Sequence, residues 1–517
     1  MNHNAVCRLL CLCFLVSLAT LSSGDRAYAL SDGATRDLDA TGSSIPPAPV
    51  DPLIAQALAR ISGSQIEHTI ATLVAFQNRS TVSSMDKDLS PGQGVSAAAD
   101  WIYAQLQSYS AACGGCLEVK RDTFTEPPQD GPRPRITQPT TITNVYAILR
   151  GSDPAQAKRV LLVTGHYDSR DTDIMDSHGP APGANDDASG VAVSLECARV
   201  LSSLKLPATL VFAAVAGEEQ GLNGSAHLAK LAKAEGWQIE GVLNNDIVGG
   251  NTTPGDTLQD KSAVRVFSEG IPATATPEQV RRIVMLGYGS DSPSRELARA
   301  VTDVSRSYNS ALSNSATPNS DSASANPAFH PVLEFRLDRF LRGGDHESFN
   351  EQGFAAVRFT EWREDFNHQH QDVRVENGTQ YGDLIQFVDF SYVARVARLN
   401  AATMATLADA PPPPVDVQIV AGNLDNNSTL RWTPAPGAPA ATAYEIVWRE
   451  LSAPDWQRFV NAGINHVVGP KADQSIDMDS QEFITLPISK DNVIFGVRAV
   501  DVAGYRSLAV VPQPVRQ

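Results

Sequence analysis

The sequence predicts an α/β fold, a mainly parallel mixed sheet sandwiched by helices, joined to a C-terminal β-sandwich. Three observations carry this. Between Thr140 and Asn251, near-continuous apolar runs alternate with helical patterns, as expected of strands buried on both faces. Polar clusters stand at successive ends of those runs, where open α/β sheets bind ligands. After four consecutive prolines, Pro411 to Pro414, the pattern changes to short alternating strands.

The chain of 517 residues is long enough for about three domains. Hydrophobic residues make up 42% and charged residues 19%, a globular composition, and the formal net charge is -17. An acidic surface argues against nucleic acid and against stable association with anionic membrane.

Residues 1–29 read as a secretory signal. Arg8 precedes the apolar run Leu9 to Leu21, and Ala27-Tyr28-Ala29 offers a cleavage site, with Gly24 as an earlier alternative. At 13 residues the run is too short for a bilayer of about 30 Å. The expected location is therefore outside the cytoplasm, periplasmic or extracellular. There, Cys113-Gly-Gly-Cys116 is expected to close a local disulfide rather than to serve redox or metal chemistry. Cys197, inside an apolar helical pattern, is expected to be a buried small hydrophobe.

Residues 30–50, rich in Ser, Asp, Gly and Pro, read as a flexible leader, and 51–408 as the main domain. Helical periodicity runs from Asp51 to Ser110. ITNVYAILRG, RVLLVTGHYDS, ATLVFAAVAGEE and IEGVLNNDIVG read as strands, and ASGVAVSLECARVLSSL and GSAHLAKLAKAEG as helices between them. The stretch 251–340 carries less order signal and is taken as partly an insertion, above all its Ser/Asn-rich segment from Ser307 to Phe329. GFAAVRFTE resumes the sheet, and a helix is expected from about Asp383 to Leu407. Residues 409–415 form a stiff proline linker. Residues 416–517, with Trp432, Tyr444 and Trp448, resemble a fibronectin type III module.

Five segments carry candidate metal ligands. His166 ends a strand and can offer an imidazole nitrogen, with Asp168 two residues on to hold its other N–H. Asp186 and Asp187 are adjacent carboxylates, which repel unless a cation lies near, although Asp187 also suits a helix N-cap. Glu218 and Glu219 follow a buried strand directly, so one can be a ligand and the other a general base. Asp246 ends the next apolar strand. His368 and His370 offer a late His-x-His. Each taken singly also fits a cap or a solvated loop; their recurrence at the strand ends of one sheet is what favours chemistry. Histidine and carboxylates without cysteine suit catalytic rather than structural zinc.

The order H-x-D, N-D-D-A-S-G, G-E-E-x-G, N-x-D and a late His after an F-x-E strand resembles the M28 family of zinc peptidases over about residues 60 to 408. The resemblance implies a zinc-peptidase/phosphorylase-like fold and two zinc ions per chain. His166 and Asp246 would hold one, Glu219 and His370 the other, with Asp186 bridging. Glu218 would be the general base, Asp168 would orient His166, and Asp186-Asp187 would be joined by a cis peptide. His346, in a stretch resembling S-D-H-x-x-F with Gly344 in place of Ser, would be a supporting residue. The usual Thr after the last ligand is missing, and counting from Asp365-Phe366-Asn367 favours His370 over His368. No Tyr stands out to stabilise an oxyanion, and Arg342 is a substitute on charge grounds. The activity implied is removal of N-terminal residues from peptides. Glutaminyl cyclase-like or carboxypeptidase-like chemistry on the same fold, and a catalytically inert binding or adhesion protein, are the alternatives.

Overall fold

A computed structural model describes residues 36–313, 328–422, 424–464, 467–468 and 482–516. The signal segment and the centre of the Ser/Asn-rich segment lie outside the described residues. Residues Asp37–Gln517 form one compact unit. Among the described residues, no helix is long and apolar enough to cross a membrane.

In chain order the elements of the main body are α1 (Pro52–Ala59), α2 (Gly63–Ala75) and α3 (Gly94–Ala112), following a two-residue strand β1 (Ser43–Ser44). Then come β2 (Leu117–Glu126), β3 (Thr140–Leu149), β4 (Arg159–His166), α4 (Ala188–Leu201), β5 (Thr209–Val215), α5 (Asn223–Ala234) and β6 (Gln238–Asn245). β7 (Ala263–Ser268), α6 (Pro277–Leu286), α7 (Pro293–Ser307), α8 (Asn309–Ser313), β8 (His330–Glu334), α9 (His346–Glu351), β9 (Ala356–Glu361) and α10 (Phe390–Asp409) complete it.

Eight strands make one mixed sheet in the order β2-β3-β5-β4-β6-β9-β7-β8. Its centre, β5-β4-β6-β9, is parallel, and β3 and β7 join antiparallel. Every residue of β4 and β5 is buried, which explains their unbroken apolar runs. One face packs on α4 and α10 and the other on α5 and α9. The carboxyl ends of β4, β5 and β6 lie side by side, with His166 paired to Val215 and Thr164 to Asn244. Residues leaving these three strands therefore share one crevice.

Several expectations need correction. Residues 37–50 are not a free leader: β1 pairs with 458–463, Leu38 is buried in the C-terminal core, and Trp448 Nε1 donates to Leu38 O at 2.9 Å. The 251–340 stretch is not an insertion over most of its length. It supplies two sheet strands and the buried helix α7, and Tyr308, Leu312 and Phe329 lie in the main core. α10 starts later than expected because Asp389 caps it, accepting from Ser391 N and Tyr392 N. The cysteines, by contrast, are as expected: Cys113 and Cys116 form a disulfide, and Cys197 is buried and free.

The C-terminal region is two sheets. One has the order 43–44, 458–463, 443–450, 493–500, and the other 467–468, 482–486, 428–433, 415–420, 513–515. Trp432, Tyr444, Trp448 and Phe495 fill the core between them.

Candidate functional site

His166 is the last residue of β4 and is almost wholly buried. Its Nδ1 lies 3.1 Å from Asp168 O and 3.4 Å from Asp168 Oδ1, which makes Nδ1 the protonated nitrogen and turns the lone pair of Nε2 the other way. Asp168 is itself held: its Oδ2 accepts from Thr81 Oγ1 at 2.9 Å and from Glu219 N at 3.2 Å.

Two carboxylate–imidazole clusters meet at Asp186. Its Oδ1 is 3.1 Å from His166 Nε2, and its Oδ2 is 2.9 Å from His370 Nε2. Asp246 Oδ1 lies 3.9 Å from His166 Nε2, and Glu219 Oε1 lies 3.1 Å from His370 Nε2. His166, Asp186 and Asp246 can thus hold one metal ion, and Asp186, Glu219 and His370 a second. His166 Nε2 and Glu219 Oε1 are buried without a hydrogen-bond partner among the described residues. Orphaned ligand atoms of this kind, all nitrogen and carboxylate oxygen, fit zinc.

The electrostatics agree. Burial, though opposed by His166, and the carboxylates of Glu219, Asp246 and Asp345 push Glu218 well above the usual carboxyl range. Burial lowers His370, but Glu219 and Asp186 outweigh it and raise the imidazole to about 10. Burial raises Asp186, and the two imidazoles overcome it to hold that carboxylate well below its ordinary value. So many acids in one crevice require compensating positive charge.

Asp187 does different work from its neighbour. It caps α4 through Gly190 N at 2.9 Å, and also accepts from His166 N at 3.0 Å and Ile247 N at 3.3 Å. The Asp186–Asp187 peptide is cis. His368 does not reach the cluster. It stacks on Phe387 with ring centroids 3.7 Å apart. Arg342 stands outside the cluster too, donating to Gln369 Oε1 at 2.8 Å and Glu364 Oε2 at 3.0 Å.

Four supporting residues escaped the sequence reading. Asp383 accepts from Asn185 N at 2.9 Å and Asp186 N at 2.7 Å, clamping the loop before α4. Fully buried Arg79 donates to Tyr167 O at 2.7 Å, Pro182 O at 2.6 Å and Gly183 O at 2.9 Å, tying the same loop to the end of β4. Arg358 reaches Asp246 Oδ2 at 2.9 Å and Asp338 Oδ2 at 3.0 Å. Asp345 is fully buried and is among the charges acting on Glu218. Asp383, Arg79 and Arg358 each stand far in sequence from what they hold. Arg358, on a strand read as apolar, and Asp345, inside the stretch resembling S-D-H-x-x-F, carried a hint. A third acidic group, Asp338, His346 and Glu347, is close enough to hold an ion, but Arg339 and Arg358 already pair with Asp338. We read it as support beneath Asp246.

With this geometry in view, the comparisons with known proteins are direct. Residues 144–384 match the sequence profile of peptidase family M28. A "Probable zinc metalloprotease" of Pyrenophora teres f. teres is 42% identical over 476 residues, 92% of this chain and 89% of that protein. Another, of Leptosphaeria maculans, is 42% identical over 469 residues, 90% of this chain and 98% of its own length. Among solved structures, the LapA aminopeptidase of Legionella pneumophila has a TM-score of 0.45 at 18% identity, covering 71% of this chain and 78% of that one. A glutaminyl cyclase of Porphyromonas gingivalis has 0.41 at 18%, covering 66% and 97%. On the profile match and the identity to its relatives, this chain belongs to peptidase family M28.

Proposed function

We propose that this chain is an exported, two-zinc aminopeptidase acting on the N-termini of peptides. One observation carries the two-metal reading: the two oxygens of Asp186 face two different imidazoles, His166 and His370, from opposite sides. The names of the relatives, zinc metalloproteases, support zinc. When bound, zinc supplies Lewis-acid polarisation of a peptide carbonyl and of water. The residues supply the rest. Glu218, adjacent to both clusters and raised by burial, takes the proton of the attacking water and returns it to the leaving amine. Asp168 keeps His166 in the tautomer that offers Nε2 as a ligand. Acidic groups not used by the metals are available to the substrate's free amine. The Cys113–Cys116 disulfide supports an oxidising compartment for the folded chain.

Glu218→Gln tests the central role. The variant is expected to retain about two zinc ions per chain and to lose at least about a hundredfold in kcat on aminoacyl-nitroanilides. Full turnover with normal metal content would remove Glu218 as the base. Release of free amino acid, rather than a cyclised N-terminus or a trimmed C-terminus, separates the aminopeptidase from its same-fold alternatives.

A further inference from the structure

We infer that Arg342 forms a carboxylate-binding subsite at the open side of the site, engaging a carboxylate on the residue that follows the scissile bond. The inference rests on the aminopeptidase reading and extends it to the substrate class: short peptides with a free C-terminus, or peptides with an acidic second residue.

The crevice is open at His370. The side chains of His166, Asp186 and Glu219 are no more than 6% exposed, whereas that of His370 is 29% exposed. Arg342 stands on the His370 side. Its Nη1 donates to Gln369 Oε1 at 2.8 Å, and Gln369 Nε2 donates to Asp186 Oδ2 at 3.2 Å. Two hydrogen bonds and the width of one amide put Arg342 Nη1 within roughly 8 Å of Asp186 Oδ2. Successive α-carbons are about 3.8 Å apart, so a carbonyl held at the clusters leaves its next residue one step short of Arg342.

Charge favours an anion there. Glu364 receives three guanidinium groups, from Arg265 at 2.9 Å, Arg339 at 2.8 Å and Arg342 at 3.0 Å. The other acid of this ion-pair network outside the metal clusters is Asp338, already paired with Arg339 and Arg358. Arg358 is taken up by Asp246 at 2.9 Å, which leaves Arg265, Arg339 and Arg342 against Glu364 and Asp338, a surplus of one positive charge among these ion-paired groups. Arg342 is the most exposed of the four, at 28%. Exposed Phe366, whose ring centroid is 5.9 Å from the Arg342 Cζ, gives the cation an apolar neighbour suited to the body of a small peptide. The planar fork can bind a carboxylate in two-point fashion through the nitrogens not used by Gln369 and Glu364.

The test compares Leu-Gly, Leu-Gly-amide and Leu-Glu-amide as substrates of the zinc-loaded full chain. For an α-carboxylate, kcat/KM for Leu-Gly should exceed that for Leu-Gly-amide by about tenfold or more. For an acidic side chain, Leu-Glu-amide should show that excess instead. In Arg342→Gln the ratio should collapse towards one, and Arg342→Lys should recover part of it. A ratio near one for both carboxylate peptides in the unaltered chain, or one that survives Arg342→Gln, overturns the subsite while leaving the aminopeptidase reading intact. A zinc-replete chain that releases leucine from none of the three overturns both.

Discussion

Asp186 and Asp187 are neighbours in the chain with opposite surroundings, one facing two imidazoles and the other spending its oxygens on three backbone N–H groups. Their residue types were legible, and so was the capping role of Asp187. The choice of His370 over His368 was only half legible, since both stand two residues apart after the same strand. The structure separates them by turning His368 onto Phe387. Asp383 and Arg79 left no trace in the sequence, because a buried side chain that binds distant backbone has no local pattern to display. Glu361 was visible in the motif but was given no role. It marks the end of the F-x-E strand, is fully buried, and accepts from Asn251 N at 2.8 Å and Asn185 Nδ2 at 3.2 Å. Burial nevertheless pushes its carboxyl up to about 8. The folded chain then binds a proton that the unfolded chain, with an ordinary value of about 4.3, releases earlier. That contribution to stability is fully present below about pH 4.3 and is lost as pH rises towards about 8. Glu361→Gln, neutral throughout, should therefore gain in melting temperature relative to the unaltered zinc-loaded chain as pH is raised from about 5 to about 8. Parallel melting curves for the two proteins across that window would show that Glu361 does not hold the proton.

At the scale of elements, the packing of α4 decides whether the metal cluster can assemble. Gly190, in its first turn, lies so close to the end of β6 that a Cβ there would collide with Asn245 O and with the Asp187 carboxylate. Gly165 of β4 is equally tight against Gly190 and Val191. These contacts explain why glycine belongs at the end of the N-D-D-A-S-G run. Gly190→Ala should force α4 away from β6, destabilise the fold by about 1–3 kcal/mol and reduce zinc retention. Thermal melting and metal analysis would read this, and an unchanged zinc content at a normal melting temperature would rule it out. The central elements β4, α4, β5 and β6 were readable because strands covered on both faces need unbroken apolar runs. β2 was not, since an edge strand with alternate residues exposed lacks such a run. α7 was hidden for another reason. It is rich in charged residues and yet buries Arg295, Glu296 and Arg299. Glu296 accepts from Trp456 Nε1 at 3.0 Å, Arg299 donates to Pro454 O at 2.6 Å, and Arg449 pairs with Asp291. Its burial depends on the C-terminal region, so no window of local hydropathy could reveal it.

The described body is held together by exchanges between residues 37–51 and the C-terminal region. Residues 37–50 lend a strand and Leu38 to the C-terminal sheets, with Arg458 paired to Asp39 and Asn492 bonded to Asp37. Asp51 then caps α1 and meets Tyr505. With α7 docked beside it, the C-terminal region is a structural part of the body rather than a module on a free tether. The prolines agree, since Pro411 and Pro412 are buried. A chain ending at residue 409 would leave Asp291 and Glu296 without Arg449 and Trp456. Breaking a buried ionic network in this way costs about 3–5 kcal/mol. The truncated chain should give little soluble protein and a lower melting temperature. A soluble product that unfolds cooperatively at the temperature of the full chain would show that the catalytic body stands alone.

The sequence by itself determined the central sheet, the strand ends that carry His166, Glu218, Glu219 and Asp246, the helix start beside Asp186, and the kinship those residues express. Local apolar periodicity and short motifs encode such features within a few residues. Only the tertiary structure decided which of two histidines meets Glu219, which distant arginines and acids brace the candidate ligands, and how residues 37–51 interlock with the C-terminal region. Those outcomes depend on partners tens to hundreds of positions apart, and it is folding that makes them neighbours.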